Sequence, residues 1–141
     1  MYIPKHFRIE ELVSKTVFRK YGKQAFQFFD DRALKTLDRL RERFGPATVN
    51  DWLWGGPNDS RGFRAIDDPE GADNSAHRRA QGFDVIFKEI SAEEVREYIL
   101  RNPDEFPYIN AIEANVNWLH FDCRNCQRIM VFKPKKTGDT A

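Results

Sequence analysis

Apolar residues return along this chain with two periods, three to four residues in its first part and two residues in its last. Ile9, Leu12, Val13 and Val17 recur at helical spacing between Ile9 and Tyr21, and Gly22 follows as a C′ residue, which predicts a first helix. Asp30 or Asp31 caps a second helix, in which Leu34, Leu37, Leu40 and Phe44 form one stripe while Lys35, Asp38, Arg39, Arg41 and Glu42 face water. Gly45-Pro46 ends it. Ala47 to Trp52 reads as a short strand, followed by loop through residues 55–60, and the polar stretch from 65 to 76 reads as a surface loop. Alternation marks a strand from Phe83 to Phe87. Ser91 and Glu94 form a capping box for a third helix with Val95, Tyr98 and Ile99 on its buried stripe, and Pro103 stops that helix. Three more strands are predicted at Ile109 to Glu113, Trp118 to Cys123 and Ile129 to Lys133, close enough in sequence to pair antiparallel. Helices followed by a small antiparallel sheet define an α+β fold.

The 141 residues match one ordinary domain, expected over 1–134 with a flexible tail at 135–141. Apolar residues make up 40% of the chain, yet no apolar run approaches the ~20 residues of a membrane span, so no membrane insertion is expected. A net charge of +1 provides no global field toward nucleic acid. The first residues carry a proline and charges where a secretory signal needs an apolar run, which predicts cytoplasmic synthesis without a signal peptide. Cys123 and Cys126 form a single Cys-x-x-Cys, half of a structural zinc site, and are expected to be reduced thiols without chemistry. Nothing in the chain calls for an oligomer, and a monomer is expected.

Chemistry concentrates in two segments. Of the three histidines, His77 lies seven residues before Asp84, and His120 stands in the run Trp118-Leu119-His120-Phe121-Asp122. On one continuous helix His77 and Asp84 would be about 10.5 Å apart along the axis, too far for one ion, so the chain must turn between them, at Ala80 and Gly82. His120 belongs to a strand whose Trp118, His120 and Asp122 point to one face while Leu119 and Phe121 enter the core. Two histidines and one carboxylate form a three-ligand zinc site with an open position for water, an arrangement suited to hydrolysis. Asp122 and Ser75 are placed to orient ligands from behind.

His77-x6-Asp84 followed by Trp118-Leu119-His120-Phe121-Asp122 resembles the zinc D-alanyl-D-alanine carboxypeptidase family, which includes phage L-alanyl-D-glutamate endopeptidases and shares its fold with the hedgehog signalling domain. Val49-Asn50-Asp51-Trp52, Gly55-Gly56 and Ser60-Arg61-Gly62-Phe63-Arg64 are similar to segments the family places ahead of its first histidine, and the likeness runs through residues 7 to 133, the compact phage-encoded members looking closest. The resemblance implies Zn²⁺ held by His77, Asp84 and His120. It also implies a peptidoglycan stem peptide as substrate, Arg64 beside the substrate carboxylate or developing oxyanion, and delivery to the cell wall by a phage-related route.

The chain departs from the family pattern twice. In Ser-x-His-x-x-Gly-x-Ala-x-Asp it has Ala80 for the glycine and Gly82 for the alanine. At position 117, where many family peptidases carry the acid that serves as general base, it has Asn117, and an amide does not accept the proton of an attacking water. Either another carboxylate acts or hydrolysis is impaired. Glu113, at the end of the strand that leads to His120, is the candidate replacement, with Asn117 left to hold substrate or the zinc water by hydrogen bonds. The rival reading is a noncatalytic zinc-stabilised module that binds a peptide or protein, or a virion component on the same fold.

Overall fold

The computed structural model describes residues 1–63, 80–124 and 129–134. Among them are three α-helices, α1 (Lys15–Tyr21), α2 (Asp31–Phe44) and α3 (Ala92–Arg101), and a five-stranded mixed sheet. Its strands are β1 (Ala47–Thr48), β2 (Gly82–Phe87), β3 (Ala111–Glu113), β4 (Leu119–Asp122) and β5 (Met130–Phe132), in the order β1-β2-β4-β3-β5. The α+β class is as expected. An all-antiparallel sheet is not found: β1/β2, β2/β4 and β3/β4 are antiparallel, but β5 passes to the far edge of β3 and runs parallel to it.

The helices form where local chemistry allows them. Asp30 caps α2 by accepting the Arg32 amide at 2.9 Å, and Ala33, Leu34, Leu37 and Leu40 are buried along its inner stripe. Ser91 caps α3 in the same way through the Glu94 amide. The first predicted helix is broken into a 3₁₀ turn (Ile9–Glu11) and α1, with Ser14 capping the latter. The break has a tertiary cause. The Leu12 carbonyl accepts the Phe63 amide, and the Val13 carbonyl accepts both Asn50 Nδ2 and Trp52 Nε1, so these groups serve distant segments rather than a helix ladder. The strand expected from Ala47 to Trp52 shortens to two residues because Asn50 is buried as a hydrogen-bonding post and Trp52–Trp54 coil into a 3₁₀ turn.

Phe83, Val85, Leu119, Phe121 and Ile112 are fully buried on one face of the sheet, in the same core as Leu34, Leu37, Val95 and Ile99 of the helices. Phe83 stacks against Phe29 and touches Phe121, so aromatic packing ties the two central strands to the helical layer. Period-two alternation then leaves Asp84, His120 and Asp122 together on the opposite face. Trp52 is half-buried, and Trp54 is exposed at 61% rather than part of a core. No helix among the described residues is long and apolar enough to cross a membrane.

Candidate metal centre

β4 is the middle of the arrangement, with a neighbour on each side. Asp84 of β2 is the direct cross-strand partner of His120, and Gly82 is that of Asp122. On the other side Ala111 pairs with Asp122 and Ile112 with Phe121, and continuing this register by one residue sets Glu113 opposite His120. Glu113 in turn pairs with Phe132 of β5, whose ring meets the His120 imidazole edge-on at 5.4 Å. Asp84, His120, Glu113 and Phe132 thus form one row across four strands.

Within the row the side chains of Asp84 and His120 meet. His120 Nδ1 is 2.9 Å from Asp84 Oδ1, and His120 Nε2 is 2.7 Å from Asp122 Oδ2. Both carboxylates and the imidazole are buried, Asp122 completely. Burial works against a charged imidazole here, but the hydrogen bonds to Asp122 and Asp84 outweigh it and raise the His120 pKa to about 9. Burial also opposes ionisation of Asp122, and the hydrogen bonds from His120 and Arg124 outweigh it, holding its pKa down at about 2. The hydrogen bonds to Asp122 and Asp84 thus favour the charged form of the His120 imidazole.

Arg124, which the hydrophobic pattern did not single out, completes the far side. Its Nε and Nη2 donate to the two oxygens of Asp122 at 2.7 Å each, and its main-chain amide adds a third hydrogen bond at 3.2 Å. The guanidinium lies 5.0 Å from the Phe132 ring centroid. No residue-type motif marks such a fork in advance; an arginine two residues past an acidic strand position is its only signal.

Two zinc ligands at ~2.0–2.2 Å from the ion in tetrahedral geometry lie about 3.3 Å apart, whereas Nδ1 and Oδ1 are in direct hydrogen-bond contact at 2.9 Å and would part by a few tenths of an ångström to share an ion. The donor types, one imidazole and one carboxylate, suit the ion. Among the described residues no group of three or more histidines, cysteines or acids is arranged to hold a metal ion. The expected third ligand, His77, lies outside the described residues, as do Ser75 and Arg64. Ala80, standing where the family pattern has glycine, adopts φ 57°, the left-handed region that glycine favours. Upstream, Arg61 O accepts the Asp84 amide, and Gly62 packs so closely under Leu12 that an added Cβ would fall 2.1 Å from the Leu12 carbonyl oxygen.

Asn117 is not in the carboxylate–histidine row. It is exposed in the turn before β4 and lines a groove of about 440 Å³ with Ile86, Ile90, Arg96 and Val116 among others. Arg96 of α3 fixes that turn by donating to the carbonyls of Val116 and Trp118, both at 2.9 Å. No family model matches the chain, and comparison with curated proteins and with solved structures returns no match.

Proposed function

We propose that the chain is a zinc-dependent metallopeptidase of the hedgehog/D-alanyl-D-alanine peptidase type, hydrolysing an amide bond in bacterial peptidoglycan stem peptides and encoded by a phage or prophage. One observation carries the reading. Asp84 and His120, from two neighbouring strands, bring a carboxylate oxygen and an imidazole nitrogen within 2.9 Å of each other, with the second nitrogen of His120 fixed by Asp122. The left-handed Ala80 between His77 and Asp84 supports it, because the two residues need a turn between them to share an ion.

Zinc, when bound, supplies a Lewis acid and lowers the pKa of water into the neutral range. His77, Asp84 and His120 would hold the ion, with Asp122 orienting His120 and Ser75 supporting His77. Glu113, brought level with His120 by the β3/β4 register, takes the proton of the attacking water and returns it to the departing amine. Arg64 donates to the developing oxyanion, and Asn117 hydrogen-bonds the substrate from the rim.

Asn117 also favours a second reading, a noncatalytic zinc-stabilised module that binds a peptide or protein partner or serves in a virion, since an amide stands where an acid would complete the usual peptidase set. Mass spectrometry of purified peptidoglycan digested by the zinc-loaded wild type and by Glu113→Gln separates them. The wild type is expected to release new amine and carboxyl termini, and the variant to be slower by about 10²-fold or more. No new termini from zinc-loaded wild type would reject the peptidase and leave the binding module; full activity in Glu113→Gln would reject only Glu113 as base.

A further inference from the structure

We infer that Arg124 is a positioning residue for the metal centre: through Asp122 it holds the His120 ring so that Nε2 donates a hydrogen bond and Nδ1 faces Asp84 and the ion. This rests on the zinc reading proposed above and adds to it the group that makes one of its ligands rigid.

The geometry is that of a clamp. A carboxylate that touches only an imidazole is free to rotate about its Cβ–Cγ bond and offer either oxygen. Asp122 is denied that freedom, because Arg124 Nε holds Oδ1 and Nη2 holds Oδ2, both at 2.7 Å, a fork-to-fork match that fixes the carboxylate plane. Oδ2 then has one further direction available, and His120 Nε2 occupies it at 2.7 Å. Arg124 is itself held. Its carbonyl accepts Asn110 Nδ2 at 2.6 Å, the preceding Cys123 amide donates to Gln81 O, and its guanidinium sits against Phe132, the ring that also abuts His120. The imidazole is thereby fixed at one nitrogen by Asp122 and along its edge by Phe132, both in contact with the same guanidinium. Its Nδ1 is left directed at Asp84.

Outer partners of metal-bound histidines typically change affinity by about 10–100-fold when removed, and a purely packing role for Arg124 would change stability alone. The test uses the full chain. Zinc dissociation constants are measured by competition with a chromophoric chelator for wild type, Arg124→Met and Arg124→Lys, with the visible spectrum of the cobalt-substituted proteins as a second readout. Arg124→Met is expected to bind zinc about 10–100-fold more weakly and to shift the cobalt ligand-field bands. Arg124→Lys, which keeps the charge but loses the fork, is expected to fall between. Should Arg124→Met fail to fold, the lysine variant decides. Affinity within about twofold of wild type and an unchanged cobalt spectrum in a folded variant would overturn the role of Arg124 while leaving the metal site standing. Wild type that binds no zinc would overturn the metal reading, and this inference with it, a result distinguishable because it is read on wild type alone.

Discussion

The Cys123 thiol closes β4 at 1% exposure, and its S–H donates to the Gln81 carbonyl at 3.4 Å. Burial, with Asp30 nearby, pushes its pKa up to about 12. Because the raised pKa favours the neutral form in the fold, the thiol's contribution to stability is complete below the unfolded thiol value of ~8.5 and is lost as pH climbs from there toward 12. In mildly alkaline buffer Cys123 should therefore resist iodoacetamide in the native protein and react rapidly once denaturant is added, as read by peptide mass mapping. Alkylation of the native protein at the rate of a free thiol would show the site to be open. Cys123 is a free, buried thiol, in keeping with the reduced cysteine expected from the single Cys-x-x-Cys, while Cys126 lies outside the described residues; Asp38, by contrast, was misplaced at the same scale. Its helical position puts it on the solvent side, yet it is 3% exposed, because residues 2–6 fold back over it. Tyr2 Oη and the amides of Lys5 and His6 all donate to its carboxylate. A contact with a partner more than thirty residues away leaves no trace in a helical period.

Among the elements, the segment from Ser60 to Phe63 is under close steric constraint at Gly62. It runs between the Leu12–Val13 corner and β2, with the Phe63 amide on Leu12 O and Arg61 O taking the Asp84 amide, so its position helps to set that of Asp84. Gly62→Ala would drive a methyl group into the Leu12 carbonyl at 2.1 Å, and is expected to cost roughly 1–3 kcal/mol, read from the urea midpoint. An unchanged midpoint would mean the backbone relaxes there at no cost. What pattern reading recovered among the elements follows from how local each one's cause is. α2 and α3 carry their own caps and apolar stripes, so both were visible with their boundaries nearly right. β4 was visible with the correct face assignment because alternation is a property of the strand alone. The parallel placement of β5 was not visible, since short separation in sequence favours a hairpin and the choice of β3's free edge is made by tertiary packing. The same holds within the site. Asp84 and His120 could be paired from motif spacing, while the Arg124 fork depends on how the chain turns after β4.

For the whole molecule, the consequence of the proposed metal centre would be thermodynamic. Asp84 and His120 lie on adjacent central strands, and His77 would tie a third stretch of chain to them, so the proposed ligand set would come together only in the folded state. An ion that binds the native chain and not the unfolded one stabilises by mass action, about 2.7 kcal/mol at a free concentration 100 times Kd. For a chain of 141 residues that corresponds to a rise in Tm of roughly 5–10 °C. Calorimetry of chelator-treated protein, repeated after zinc is restored, should show this increase, and excess chelator should reverse it. His77→Ala and Asp84→Asn should each lose most of the zinc-dependent part. His6→Ala serves as the control, because His6 lies away from the sheet face, paired with Glu42 at 3.2 Å, and its loss should leave the zinc-dependent rise intact. If zinc raises Tm equally in wild type and in both ligand variants, the ion is binding elsewhere on the surface, and the assignment of His77, Asp84 and His120 as a common site fails whatever the fate of the peptidase activity.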